Sequence, residues 1–252
     1  MDIIALIILG IVQGATEFLP VSSSGHLVML GKFFNVPDSL FVSIILHLAT
    51  LLSILVVLRK EVFALVRRPF CEQSVKLMVA TIPTCIIALI LMPIIGDAFS
   101  GAFLGLSFLT TAIVLFVSER ISKKKKMTEE LTYRQAFVMG IAQGLAIFPG
   151  ISRSGATISA GNLSGANREK SAKFSFIMSI PVILLSLVLE VYKIISQGEM
   201  ISVNILGLVL AFIAAFLVGV LCIKGMLKLT QRAGLGWFSI YLLALAILNI
   251  FI

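Results

Sequence analysis

Apolar residues along this chain fall into long runs rather than into alternating or strictly amphipathic patterns. Six runs, at 40–58, 76–95, 101–117, 174–192, 203–223 and 235–252, approach the roughly 20 residues that a helix needs to cross the hydrocarbon of a bilayer. They predict six transmembrane helices. Two further apolar segments, beginning at Ile3 and at Arg134, are interrupted near their middles by proline, glycine and serine. Each has only about ten to fifteen apolar residues before its break, too few to span, so a re-entrant pair of short helices is expected in each place.

The two interrupted segments are one segment written twice. Gly10, Ile11, Gln13, Gly14, Phe18, Ser22, Ser24 and Gly25 match Gly140, Ile141, Gln143, Gly144, Phe148, Ser152, Ser154 and Gly155 at a constant offset of 130, without a gap. The chain therefore reads as a duplication: residues 1–126, a re-entrant pair and three spans, then 127–252, the same again. A re-entrant pair returns to the side it came from, and three crossings then set the second repeat upside down. The expected fold is an all-α polytopic membrane protein with an inverted-topology repeat, six transmembrane helices and two re-entrant helix pairs.

Composition agrees with a membrane protein and excludes a soluble domain, since 59% of the 252 residues are hydrophobic and the mean hydropathy is +1.12. The net charge of +8 reports orientation rather than a nucleic-acid partner. All but three of the twenty basic residues fall in loops that the inverted arrangement places on one side, which makes that side cytoplasmic and leaves both termini outside. Lys123–Lys126 reads as a topology anchor against anionic headgroups. Asp2 stands where a signal peptide would be basic, so the first segment is expected to remain in the mature protein. Cys71, Cys85 and Cys222 lack metal-ligand spacing and read as structural thiols.

Against this background two charges stand out. Glu17 and Arg153 lie in the two breaks, where a charged side chain costs about 2.5 to 3.5 kcal/mol on insertion scales unless it finds a partner or a polar cavity. They can pair with each other across the repeats, or line a polar site. The second reading draws in more residues. Pro20 and Pro149 end the first half-helices, and Ser22 to Ser24, Ser152 and Ser154 are suited to capping the second ones. Two helix N-termini would then offer backbone N–H groups to an anion, with the Arg153 fork beside them. The repeats have also diverged, for Glu17 is opposed by Ile147, His26 by Ala156 and Arg153 by Ser23. Gln13 and Glu17, four apart, share a helix face and can hold a metal or water together. His26, about a turn into its half-helix, is an acid or base candidate. His47 reads as a packing residue, and Glu190 as a carboxylate near a helix end.

The string from Gln13 to His26, with Pro149-Gly-Ile-Ser-Arg-Ser-Gly-Ala-Thr157, resembles the bacitracin-resistance family of undecaprenyl-diphosphatases over essentially the whole chain. That family carries a Glu/Gln-x-x-x-Glu motif and a Pro-Gly-x-Ser-Arg-Ser-x-x-Thr motif, and both are complete here. The resemblance implies a phosphatase of the bacterial plasma membrane that depends on Mg²⁺ or Ca²⁺ and converts a polyprenyl diphosphate lipid, undecaprenyl diphosphate, to undecaprenyl phosphate. Such an enzyme recycles the carrier lipid for peptidoglycan synthesis and confers bacitracin resistance. The resemblance makes Glu17, Ser23 and Arg153 central to catalysis, with Gln13, His26, Ser152 and Thr157 supporting, and implies an active site open to the outer side. The full candidate set is Glu17, Ser23, His26 and Arg153 for catalysis, Gln13, Ser22, Ser152, Ser154 and Thr157 for substrate, and Glu17 for metal. Membrane lipids are the expected surroundings, no nucleic acid is expected, and a homodimer is compatible with the resemblance.

Two chemical routes stay open at this point. Ser23 can attack phosphorus, helped by His26 and Glu17, or a metal-bound water can. A different class of function, lipid or anion transport, also fits inverted repeats with broken helices, although transport does not require a nucleophile, an imidazole and a guanidinium divided between the halves.

Overall fold

The computed structural model describes residues 2–34, 40–95, 103–122, 127–197, 204–232 and 234–249. The basic run 123–126 lies outside the described residues. Helices fill nearly all of the described chain: α1 (Ile3–Thr16), α2 (Ser23–Phe33), α3 (Leu40–Val57), α4 (Arg59–Arg67), α5 (Glu72–Ile95), α6 (Leu104–Ser122), α7 (Tyr133–Leu145), α8 (Arg153–Leu163), α9 (Arg168–Gln197), α10 (Ile205–Arg232) and α11 (Gly236–Leu248).

Four of them, α5, α6, α9 and α10, are long and apolar enough to cross a membrane, and α3 joins them if counted with α4, which departs from it at 84°. The expected sixth span is shorter than the sequence implied. Its described helix, α11, has thirteen residues, about 20 Å at 1.5 Å per residue, and its predicted last turn falls outside the described residues. The outer faces of these helices are apolar: Leu89 is 69% exposed, Ile195 76% and Leu221 68%. Surfaces of that kind are stable against lipid and not against water, so the protein is a multi-pass, all-α membrane protein.

The breaks fall where the serines and prolines place them. Helix α1 stops at Thr16, ahead of Pro20, and α2 begins after Ser22, whose Oγ accepts from the Gly25 N–H at 3.4 Å. Helix α7 stops at Leu145, ahead of Pro149, and α8 begins after Ser152, whose Oγ accepts from the Gly155 N–H at 3.1 Å. At its start α7 carries a reciprocal cap between Thr132 and Gln135.

Packing relates the two halves by an exchange of partners. Helix α1 lies against α10, and its counterpart α7 lies against α5. At both crossings a glycine admits the partner's backbone: a Cβ on Gly10 would collide with the Ala211 carbonyl, and one on Gly140 with the Ala80 carbonyl. One apolar cluster joins Leu6, Leu46 and Ala211 from α1, α3 and α10, and another joins Met139, Met178 and Ala80 from α7, α9 and α5. Between them a larger core gathers Phe18, Val21, Phe108, Ile158, Phe176, Ile223 and Leu242, with Phe18 edge-on to Phe176 at 5.6 Å. Helices α3 and α9 pack antiparallel, with Ser43 meeting Glu190 near one end and, past the other end of α3, Glu61 of α4 paired to Lys173 (2.6 Å).

The glycine crossings give a direct test. Gly140→Val forces two backbones apart and is expected to cost about 1 to 3 kcal/mol or more in reversible unfolding from detergent. Gly225→Ala, with nothing within 4 Å of the added carbon, should leave stability unchanged or raise it by up to about 1 kcal/mol.

Candidate active site

Both breaks meet at the centre of the molecule. A Cβ on Gly25, in the first turn of α2, would come within 3.0 Å of the Gly150 Cα in the second break and 2.7 Å of the Phe108 ring. The symmetric contact is Gly155 against the Pro20 ring. A cross-repeat hydrogen bond, from Ser154 Oγ to the Leu19 carbonyl at 2.9 Å, ties the two turns together. Backbone strain is unequal across the pair. Gly150 has a φ of 87°, which glycine adopts freely, whereas Ser22 has 71°, the one positive φ among the described non-glycine residues. Its counterpart Ser152 sits at −73°. A non-glycine residue held there costs on the order of 1 to 3 kcal/mol, and Ser22 directly precedes Ser23.

Glu17, at the end of α1, is the hub. Its carboxylate is 3% exposed. Oε1 is paired with Arg153 Nη2, and Oε2 accepts from Ser23 Oγ at 2.6 Å and from Gln13 Nε2 at 3.1 Å. Ser23 and Arg153 are each the first residue of a half-helix, at positions 130 apart. Equivalent places in the two repeats thus aim at one carboxylate. Each partner answers the desolvation of Glu17: charge from Arg153, hydrogen bonds from Ser23 and Gln13. Two polar atoms at the site are buried and lack a protein partner, Gln13 Oε1 and Arg153 Nη1. Such atoms are costly in a closed core and useful where a ligand supplies the missing bonds.

His26 is brought close but is turned elsewhere. Its Nδ1 lies 2.7 Å from the Ser22 carbonyl and its Nε2 2.7 Å from the Tyr241 hydroxyl of α11. Because a carbonyl only accepts, Nδ1 carries the proton, and in the neutral ring Nε2 accepts from Tyr241. Phe108 closes a further side of the ring at 5.8 Å. The expectation that His26 assists Ser23 is corrected in its geometry, since the Ser23 hydroxyl donates to Glu17 and both imidazole nitrogens have other partners. Tyr241 is the residue that sequence reading passed over. It lies in an unbroken apolar run, and only the fold brings α11 to α2.

The remaining candidates form the walls. Ser22 and Ser152 serve as caps, and each also meets the serine two residues on, Ser24 at 3.3 Å and Ser154 at 3.2 Å. Thr157 is fully buried, bonded to the Arg153 and Ser154 carbonyls and to Ser175 Oγ at 2.6 Å. It secures the turn that carries Arg153. Gln143, the counterpart of Gln13, bonds to Thr84 and the Met178 carbonyl and takes no part in the site.

Among the described residues, no group of three His, Cys, Asp or Glu side chains is placed to hold a metal ion. The available donors are the lone pairs left on Glu17 and the unpartnered Gln13 Oε1. Hard cations such as Mg²⁺ are commonly held by one or two carboxylates together with substrate phosphate oxygens. The donor set fits an ion that arrives with a diphosphate, and it does not fit a cage made by the protein alone.

The match to known proteins runs through this geometry. The family described as bacitracin resistance protein BacA matches residues 6–248, which include both breaks and every residue of the hub. This chain belongs to the BacA family. Similar proteins include an undecaprenyl-diphosphatase of Carboxydothermus hydrogenoformans, 40% identical over 250 residues, covering 98% of this chain and 96% of that protein. One from Christiangramia forsetii is 40% identical over 256 residues, with 96% and 94% covered. One from Methanosphaera stadtmanae is 36% identical over 273 residues, with 99% and 98% covered. As a BacA-family chain, it shows the Glu/Gln-x-x-x-Glu pair as a hydrogen-bonded pair and the Ser-Arg-Ser motif as the cap and first turn of α8.

Tyr241→Phe keeps the ring and removes the donor. It is expected to lower unfolding stability by about 0.5 to 1.5 kcal/mol. In nitrogen NMR of the labelled wild-type protein at a pH where the ring is neutral, His26 should show a protonated Nδ1 and a bare Nε2. A protonated Nε2 in the neutral ring would refute the assignment.

Proposed function

We propose that this BacA-family protein hydrolyses undecaprenyl diphosphate to undecaprenyl phosphate and inorganic phosphate, recycling the carrier lipid for peptidoglycan synthesis and giving resistance to bacitracin. The observation that carries the reading is the Glu17 carboxylate joined to a serine hydroxyl and a guanidinium, each at the head of a half-helix, in a chain that covers its curated relatives nearly end to end. A nucleophile, a proton acceptor and an anion clamp are what phosphoryl transfer requires.

The diphosphate enters with its polyprenyl tail left in lipid. Its phosphate oxygens draw on the Arg153 fork, including the unpartnered Nη1, and on the N–H groups and dipoles at the heads of α2 and α8. As Arg153 turns to the anion it releases Glu17 Oε1, while Oε2 keeps the Ser23 hydroxyl. The Ser23 hydroxyl attacks the terminal phosphorus, its proton passes to Glu17 Oε2, and the P–O bond to the bridging oxygen breaks, releasing undecaprenyl phosphate. Water then cleaves the phosphoserine. A divalent cation, Mg²⁺ or Ca²⁺, held by Glu17 and Gln13 with the substrate, would supply further charge neutralisation of the phosphoryl group. His26, fixed by Ser22 and Tyr241, orders the first turn of α2 and so the direction of the Ser23 hydroxyl.

In the bacterial plasma membrane the basic loops lie in the cytoplasm, both termini and the active-site opening lie outside, and the two repeats are inverted with re-entrant α1–α2 and α7–α8. The charge asymmetry supports this arrangement. Single cysteines replacing Lys124 and Lys228 in a cysteine-free background should resist an impermeant thiol reagent in whole cells, whereas one replacing Lys193 should react. Labelling of the 124 and 193 positions from the same side would overturn the inversion.

The chemistry is tested at Ser23. Ser23→Ala should abolish turnover while diphosphate binding persists, because Arg153 and both helix N-termini remain. Single-turnover phosphate release and binding, measured on one preparation, separate this from a loss of folding. Near-normal turnover would exclude Ser23 as the nucleophile and leave water, positioned by Glu17, as the attacking group.

A further inference from the structure

Helices α7 and α8 leave between them a groove of about 370 Å³, lined by Ile141, Ala142 and Leu145 of α7 and by Ala160 and Leu163 of α8. Its place follows from the faces that the two helices commit to packing. Helix α7 turns Gly140 and Gly144 to Ala80 and Ile87 of α5, and α8 turns Thr157 and Gly161 to Ser175 and Ser171 of α9. The stripe left on α8 runs through Arg153, Ala156, Ala160 and Leu163, whose spacings of three, four and three keep to one helix face. The groove therefore leads back along α8 to the anion clamp. Ala160 lies ~10 Å along the axis from Arg153, roughly the length of two isoprene units. At the end of α7 nearest the break, Leu145 is 53% exposed.

Larger side chains occupy the corresponding positions of the first repeat. Val12, His26 and Leu30 stand 130 positions before Ala142, Ala156 and Ala160. His26 is held among Ser22, Phe108 and Tyr241, and Leu30 packs on the apolar cluster that joins α1, α3 and α10. Three alanines thus keep open on α7 and α8 a path that bulkier residues take up on α1 and α2. At the far end of the groove Ser164 turns its hydroxyl to the Gly161 carbonyl at 2.8 Å. A channel lined in this way suits a hydrocarbon and penalises a polar ligand.

We propose that this groove holds the first isoprene units of the substrate's tail, passing from Arg153 over Ala156 and Ala160 toward Leu163, and that Ala142 and Ala160 set the preference for tail length. The inference deepens the proposed function and rests on it. Continuity names the occupant: the groove begins at the clamp, and a diphosphate held there carries its hydrocarbon on the phosphate that is not cleaved. The rest of the tail stays in the surrounding lipid. Because the tail comes from lipid and not from water, the groove contributes van der Waals fit to a methyl-branched chain, without a hydrophobic transfer term. The gain is accordingly modest, and it falls only on tails long enough to reach Ala160.

The test compares tails that end before Ala160 with tails that pass it. For the purified protein in detergent, kcat/KM should be higher for geranylgeranyl diphosphate than for geranyl diphosphate by about three- to tenfold or more. Ala160→Leu and Ala142→Val, which place in the groove the residues that the first repeat carries, should narrow that gap, through KM for the longer substrate. A geranylgeranyl diphosphate bearing a diazirine on its third isoprene unit should, on illumination, label the wild-type chain within 138–145 or 160–164. The labelling needs no variant, so it decides the matter even where a substitution disturbs folding. Equal kcat/KM for the two tails, a gap that survives both substitutions, or label confined to the outer faces of α5, α9 and α10 would overturn the proposal. A surviving gap would mean that ordinary lipid or a second copy of the chain covers the groove. Undecaprenyl diphosphate tells the two readings apart. If the wild type releases no phosphate from it, the proposed function fails and the groove's role with it; if phosphate is released and the gap survives, the groove alone is wrong.

Discussion

Everything at the centre of this protein answers the placement of one carboxylate inside a membrane. An isolated charge there is expensive, and a buried pair gains only when its geometry and hydrogen bonds are nearly complete. Glu17 has a guanidinium on one oxygen and two hydrogen bonds on the other. Those donors can reach it only because both repeats interrupt their first helix at the same level. A continuous helix would have buried its backbone N–H groups in its own turns. The interruptions release them, and serine caps keep them from being stranded in hydrocarbon.

Likeness between the two halves supplies the frame, and difference between them makes the hub. The crossings of α1 with α10 and of α7 with α5 are built alike, each on a glycine against a backbone carbonyl, so the two breaks are set face to face by packing that is indifferent to catalysis. Half of the sixteen positions from 10 to 25 carry a different residue at the offset of 130. Ile147 stands where Glu17 would recur, and Gln143 is absorbed into hydrogen bonds with Thr84 and Met178. The strain is one-sided too, with Ser22 in the left-handed region and Ser152 out of it. A frame with two equivalent cradles has become a site in which one serine hydroxyl meets one carboxylate.

Local patterns made the frame legible in the sequence. The apolar runs announced four of the described spans, and a fifth if α3 is counted with α4, the offset of 130 matched two breaks of like build, and Pro20, Pro149 and the serines placed those breaks within a few residues. Glu17 and Arg153 stood out because charges in apolar segments are costly wherever they occur. Contacts between distant segments were not legible. Tyr241 looks like any residue of an apolar helix until α11 is seen beside His26. Ser43 and Glu190 are 147 positions apart, joined only by the antiparallel crossing of α3 and α9. Ser23 choosing Glu17 over His26 depends on the Ser22 turn, which no periodicity records. The bend of α4 away from α3 at 84°, with Glu61 paired to Lys173 of α9, was likewise not legible.

The ion pair at the hub also bears on which ligand the site accepts and when it lets go. Arg153 cannot serve a phosphate and Glu17 equally, so a ligand must outbid a buried carboxylate for the guanidinium. A diphosphate, with more charge and more oxygens than a monophosphate, does this best, particularly when it also engages two helix N-termini. Cleavage divides that charge between two products, each a weaker competitor than the substrate was. Neither product then holds the guanidinium as well as the substrate did, and the pair with Glu17 can re-form.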